Sequence, residues 1–159
     1  MAKMMILVDP NKCTGCRLCE LVCSVKNEGV SNPIKSRIQV VKWEEVGYYM
    51  VMVCQQCDDA ACMAACPVDA LWRDENGVVR LDKQRCIGCR LCVQACPFGA
   101  MGYNQDTGEV FKCEQCDGEP ECVKFCEPQA LQYVEASEAN LRRRRNAAQR
   151  IADILKNVP

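Results

Sequence analysis

Short apolar runs divided by turn-forming residues recur along this chain, and they predict small paired strands rather than one broad sheet. Leu71-Trp72 and Val78-Val79, on either side of a turn at 74–77, read as a β-hairpin. Residues 36–43 and 47–53, flanking Glu44-Glu45, predict a second hairpin, and 101–103 with 109–112, around Asp106-Thr107-Gly108, predict a third. Residues 18–27 predict a longer helix. From Ser137, an N-cap residue type with Glu138 favourably in the first turn, good helix formers run to Val158 before Pro159. On that helix Leu141, Ala148, Ile151, Leu155 and Val158 keep a/d-type spacing, interrupted only by Arg144, which gives a narrow apolar seam.

Composition changes this picture. The chain has 159 residues and 49% apolar content, but that content includes 16 cysteines. Without them the apolar share is about 39%, below the ~45–50% usual for a globular domain, so something besides an oily core must hold the fold. The length predicts one compact domain or two very small ones and excludes a large multidomain enzyme. Residues 1–10 hold no apolar stretch of signal-peptide length, and no segment approaches the ~18 apolar residues of a membrane span. The expectation is a cytoplasmic protein without membrane association, where dense cysteine points to metal or catalysis rather than disulfides. Histidine is absent, which removes the commonest general base and the usual partner of cysteine in mixed zinc sites. A formal charge of −1 gives no basis for nucleic-acid binding.

The cysteines fall into four sets of four with none left over. They are Cys13-x2-Cys16-x2-Cys19-x3-Cys23; Cys54-x2-Cys57-x4-Cys62-x3-Cys66, followed by Pro67; Cys86-x2-Cys89-x2-Cys92-x3-Cys96, followed by Pro97; and Cys113-x2-Cys116-x5-Cys122-x3-Cys126, followed by Glu127-Pro128. The third reproduces the bacterial ferredoxin run without deviation. Three thiolates so spaced lie on a loop that curls around one face of a cubane, each reaching a different iron. The fourth starts a helix facing away and ligates the other cluster of a pair. Gly15 and Gly88 leave room for backbone to approach inorganic sulfide. Ser24 replaces the proline after Cys23, which is why a longer helix is expected there. Zinc would leave ligands unused in a run of three cysteines within seven residues, and disulfides would force neighbouring sulfurs to compete for partners. Four [4Fe–4S] clusters are the expectation.

The hairpin between the second and third sets is the link expected inside one two-cluster unit. An α+β fold of two nested bacterial-ferredoxin-like units follows: an outer unit of residues 1–30 and 111–136, a connecting hairpin at 31–53, an inserted unit at 54–110, and a helical docking arm at 137–159. Under nesting, one cluster takes Cys54, Cys57, Cys62 and Cys96, and its neighbour Cys86, Cys89, Cys92 and Cys66. The outer pair takes Cys13, Cys16, Cys19 with Cys126, and Cys113, Cys116, Cys122 with Cys23. A sequential pairing, first set with second and third with fourth, uses the same motifs and stays open. Trp43, Trp72, Tyr48 and Tyr49 are read as shields against water rather than relays. Oxidised clusters would bring the formal charge to about −9. Arg17, Arg90, Lys112 and Lys124, beside ligands, would offset part of that or be plain solvated charges. The seam of the last helix fits docking onto another subunit, including another copy, or packing back on its own units.

With these motifs in place, residues 4–134 resemble the four-cluster ferredoxin-like subunits of molybdenum and tungsten oxidoreductases, of the dimethyl-sulfoxide-reductase iron–sulfur-subunit type. The short fourth motif, 112–126, is similar to that of the small subunits of tungsten-dependent aldehyde oxidoreductases. The resemblance implies a non-catalytic electron-transfer subunit between a tungstopterin or molybdopterin catalytic subunit and a flavin/NAD-binding subunit or a ferredoxin. Alternatives are the electron module of a formate dehydrogenase or hydrogenase complex, or a free polyferredoxin.

Overall fold

The computed structural model describes residues 3–156; within its last helix the side chains of Arg143, Asn146 and residues 150–156 lie outside the described set. Among the described residues, eight short strands form four separate two-stranded antiparallel sheets. β2 (Ile38–Trp43) and β3 (Tyr48–Val53) pair from Ile38 opposite Val53 to Trp43 opposite Tyr48. Between them a 3-10 turn, Glu44–Val46, ends at Gly47 in the left-handed region (φ 62°), where glycine carries no steric cost. β4 (Leu71–Arg73) and β5 (Val79–Leu81) form the hairpin expected around 74–77. Asp74 organises its turn, its carboxylate accepting from the N–H groups of Asn76 and Val78 and from Arg80 Nε. β6 (Met101–Tyr103) and β7 (Val110–Lys112) form the third expected hairpin.

The remaining sheet joins the two ends of the cysteine-bearing segment. β1 (Met4–Val8) pairs with β8 (Leu131–Glu135), Met4 opposite Glu135 and Val8 opposite Leu131. The other three hairpins therefore lie, in sequence, between the two strands of this one.

Five helices are described: α1 (Leu18–Glu28), α2 (Ala61–Ala64), α3 (Leu91–Ala95), α4 (Glu121–Lys124) and α5 (Ala136–Lys156). α1 packs against α4, and α2 against α3. The expected N-cap of the last helix is corrected: α5 begins at Ala136, straight from β8, and Ser137 sits in its first turn bonded to the Glu135 carboxylate. The Ala136 N–H donates to Lys3 O, which extends the β1–β8 ladder into the helix. Ala139 is fully buried against Met5 and Leu7, so the start of α5 packs back on its own sheet. Leu141 and Ala148 of the seam are exposed, while Ile151 and Leu155 have side chains outside the described residues and Val158 and Pro159 lie beyond them altogether. No helix among the described residues is long and apolar enough to cross a membrane.

The core is small and divided. Beside the Met5, Leu7 and Ala139 cluster there are two larger ones: one joins Ile6, Ile38, Val40, Val51, Val53 and Leu131 to Cys23, Cys113 and Cys122, and the other joins Ala60, Leu71, Val79, Met101 and Val110 to Cys92. Thiols thus form part of the two larger apolar clusters, in line with an aliphatic content too low to fill them.

Candidate metal centres

All sixteen cysteines are free thiols. The first and third sets sit on loops of one shape. Gly15 and Arg17 are left-handed at φ 67° and 63°, Gly88 and Arg90 at φ 67° and 63°, and each loop ends where a helix, α1 or α3, begins. The second and fourth sets bend at Gln56 (φ 49°) and at the consecutive left-handed residues Gln115, Cys116 and Asp117. Three left-handed residues in a row are sterically costly for non-glycine side chains. Buried Gln115 steadies this bend: its amide donates to Met4 O and its side-chain oxygen accepts from Tyr133 Oη.

Three of the four last cysteines are held alike. Three residues after each comes a left-handed residue, Asp69, Gly99 or Gln129, and the chain then turns an N–H back onto the thiol. Ala70 N–H lies 3.3 Å from Cys66 Sγ, Ala100 N–H 3.4 Å from Cys96 Sγ, and Leu131 N–H 3.4 Å from Cys126 Sγ. Cys23 differs. It sits inside α1, and its sulfur accepts from the Arg37 N–H at 3.3 Å and from Asn27 Nδ2 at 3.5 Å. Hydrogen bonds of this kind to ligand sulfurs are one of the protein's controls on cluster potential.

Two cavities are lined by four cysteines each. One is walled by Cys54, Cys57, Cys62 and Cys96 together with Ala60, Val79 and Met101. The other is walled by Cys23, Cys113, Cys116 and Cys122 with Asn27, Arg37 and Ile38. Each gathers three thiols of one set and the last thiol of another. The remaining triplets are close within themselves: the Cys19 thiol feels Cys16 and Cys13, and the Cys92 thiol feels Cys86 and Cys89. Burial, then neighbouring charge, pushes Cys19 up to about 12 and Cys92 to about 11; burial pushes Cys113 up to about 12 and raises Cys122 as well. These are sulfurs kept neutral by their surroundings until a cation arrives to hold them as thiolates.

The donor set fits a polynuclear cluster better than a single ion. Each of the two cavities brings three thiols of one run together with the last thiol of another, the ligand pattern of paired four-iron clusters. Among the described residues one buried side-chain nitrogen has no partner, Arg37 Nε, and it belongs to a residue lining the Cys23 cavity, where an electron-rich sulfide or thiolate would accept its hydrogen bond.

The cations expected beside ligands divide sharply. Arg17 pairs with Glu20, Lys124 with Glu119 and Glu121 at the surface, and exposed Arg90 stacks 3.6 Å from the Tyr103 ring centroid. Lys112 alone of the four is buried. Among the aromatics, Tyr49 covers Gly15 in the first ligand loop, whereas Trp43 and Trp72 are 48% and 50% exposed and shield little. The pattern of residues had singled out neither Arg37, Asn27 nor Gln56, because their partners lie far along the chain or turn inward only after folding.

Paired antiparallel hairpins, short helices and thiol-lined cavities define an α+β iron–sulfur protein of ferredoxin type. The chain belongs to the 4Fe-4S dicluster domain family, whose model matches residues 45–136, and a 4Fe-4S binding domain model matches residues 5–30. It is similar to the polyferredoxin-like subunit of an aliphatic sulfonate oxidoreductase from Pyrococcus furiosus, 43% identical over 91 residues, covering 57% of this chain and 52% of that one. It is also similar to the thiosulfate reductase electron transfer subunit of Salmonella typhi, 36% identical over 93 residues, covering 55% and 48%. The chain spans about half the length of these curated relatives. Among solved structures, a chain of the BamBC active-site complex of benzoyl coenzyme A reductase, as isolated, matches with TM-score 0.53 and 25% identity over 99% of both chains.

Proposed function

We propose that this chain is a non-catalytic electron-transfer subunit binding four [4Fe–4S] clusters in two nested ferredoxin-like units, residues 1–30 with 111–136 around residues 54–110. The observation that carries the reading is the pair of four-cysteine cavities, because each takes its fourth thiol from another set in the way nesting requires and sequential pairing does not. The β1–β8 ladder supports it from the backbone side, closing the outer unit around the inner one. On this reading Cys86, Cys89, Cys92 and Cys66 hold a third cluster, and Cys13, Cys16, Cys19 and Cys126 a fourth.

When bound, such clusters supply one-electron transfer between their 2+ and 1+ core states. The chain's own residues supply the rest. Cys54 and Cys113 are near enough to act on each other, as are Cys19 and Cys122, which supports the order Cys86 site, Cys54 site, Cys113 site, Cys13 site. Cys16 and Cys89 are exposed, which supports electron exchange with partners at their two sites. The relatives' description as oxidoreductase subunits supports a catalytic partner, and the compact fourth motif favours a tungstopterin or molybdopterin subunit at one end, with a flavin/NAD-binding subunit or ferredoxin at the other.

Anaerobically purified protein should hold about 16 iron and 16 labile sulfide per chain and no stoichiometric zinc. Cys23→Ala and Cys113→Ala should perturb the same paramagnetic centre; Cys23→Ala and Cys54→Ala perturbing one centre together would establish the sequential pairing instead. Metal analysis of the native complex then identifies the partner: tungsten supports the aldehyde-oxidoreductase type, whereas nickel points to a hydrogenase.

A further inference from the structure

Lys112 is a buried cationic side chain with no counter-ion among the described residues. It is 2% exposed, and its ammonium donates to the carbonyl oxygens of Val79 and, at 2.7 Å, of Cys113. Among the described residues no carboxylate pairs with it, although every other cation beside a ligand is either paired or exposed. An ammonium taken out of water and met only by carbonyl dipoles is strongly unfavourable unless an opposite charge lies close by.

Its two acceptors sit on the walls of different cavities. Val79 lines the one with Cys54, Cys57, Cys62 and Cys96, and Cys113 lines the one with Cys23, Cys116 and Cys122. Gln56, 1% exposed, spans the same partition, donating to Cys113 O at 2.9 Å and accepting from Val79 N–H at 2.9 Å. A neutral amide and a cation thus bridge the same two points, Val79 of β5 and Cys113 just after β7, and only the cation adds charge. That charge lies between the two cavities, its ammonium bonded to one wall residue of each.

We propose that Lys112 is the shared counter-ion of these two cluster sites, raising both reduction potentials together and standing astride the electron step between them. This rests on the cluster reading above. Four thiolates around an oxidised 2+ core carry a net −2, which becomes −3 when the core accepts one electron. Passage of that electron between the two sites returns the donor core from 1+ to 2+ and takes the acceptor core from 2+ to 1+, with no proton transferred. Lys112 faces the reduced site before and after the step, so it stabilises the electron on either side without favouring a direction.

Redox titration of the full complex, followed by low-temperature paramagnetic resonance, tests this on three variants. Lys112→Gln keeps a donor and removes the charge, Lys112→Met removes both, and Lys112→Arg keeps the charge. Both neutral variants should lower the midpoint potentials of the Cys54 and Cys113 sites and leave the Cys13 and Cys86 sites unmoved; Lys112→Arg should restore the two that fell. Potentials that do not move, or that move equally at all four sites, overturn the proposal. If a neutral variant loses iron, loss confined to the two flanking sites supports it and loss beginning at a terminal site overturns it. Failure of the cluster reading is separately visible as wild-type protein lacking its iron and sulfide.

Discussion

The first and third cysteine runs share a ligand loop, with matching left-handed residues at Gly15 and Arg17 and at Gly88 and Arg90, and then part company after the fourth cysteine. In the third run Pro97 follows Cys96, α3 is only five residues long, and the turn through Gly99 brings the Ala100 N–H onto Cys96 Sγ. In the first run Ser24 stands where the proline would be. α1 continues for 11 residues to a left-handed cap at Gly29, and the backbone donor to Cys23 comes from Arg37, beyond the helix and a 3-10 turn at Pro33–Lys35. Ser24 is fully buried and pins this return, donating to Leu21 O and accepting from the Asn32 N–H. One residue after an otherwise equivalent ligand therefore decides whether a sulfur is served by its own turn or by a distant segment.

Iron removal should produce the largest separation between the two runs. Thiols occupy positions in both larger cores, so stripping the metal should abolish cooperative unfolding. What survives should differ. α3 is too short to persist alone, whereas α1 has its C-cap and a tie to β2 through the buried Glu20 carboxylate, which accepts from Val40 N–H at 2.6 Å. Hydrogen exchange of the apo-protein should show residual protection in α1 and none in α3; equal protection would erase the distinction.

Ser24→Pro should come next. Proline in a helix interior costs about 3 kcal/mol or more, and the change also removes the hydroxyl that holds Asn32. Thermal unfolding of the holo-protein should show the loss, accompanied by a shift in the resonance of the Cys23 site. The reverse exchange, Pro97→Ser, should cost under about 1 kcal/mol, because the turn at Gly99 remains and mainly unfolded-state entropy changes.

The hairpins were legible because their turns are chemically local: Asp74 accepts from residues two and four ahead, and Gly47 and Gly108 sit at left-handed turn positions. The four cysteine sets were legible for the same reason, and so was the longer α1 that follows from Ser24. The β1–β8 pairing was not, since two five-residue strands more than a hundred residues apart carry no turn signal. The roles of Lys112 and Gln56 were not legible because both reach the backbone of Val79 in another hairpin, and that of Arg37 was not because its backbone N–H meets Cys23 only once the chain returns across α1, none of which residue identity encodes. The tryptophans show the opposite error: their bulk suggested shielding, yet both project from two-stranded sheets too small to cover them.

Adding one methyl group tests the shared loop itself. Gly15→Ala and Gly88→Ala meet the same left-handed backbone penalty, about 1 to 2 kcal/mol. Their neighbours differ. A Cβ at Gly88 would lie 2.9 Å from the Gly108 carbonyl oxygen, a backbone atom, whereas one at Gly15 would lie 2.7 Å from the Tyr49 ring. Relief at Gly88 requires the β6–β7 turn to move, while relief at Gly15 requires only a side chain to do so. Gly88→Ala should therefore lose iron faster in a chelator challenge, and Tyr49→Leu should rescue Gly15→Ala in part.

Asn27 offers the finest discrimination. It lies four residues after Cys23, as Ala100 lies four after Cys96, so a side-chain amide in one run and a backbone N–H in the other occupy corresponding places near the last sulfur. The amide also donates to Cys23 O at 2.8 Å, and its oxygen accepts from Arg37. A hydrogen bond worth about 1 kcal/mol corresponds to about 40 mV for a one-electron couple. Asn27→Ala should thus lower the potential of the Cys23 site by no more than about 40 mV, because the Arg37 N–H remains. Asn27→Asp, which exchanges the donor for a charged acceptor at similar size, should lower it further. An unchanged potential in both variants would mean that the 3.5 Å contact does not act on the sulfur and that Cys23 depends on the Arg37 backbone alone.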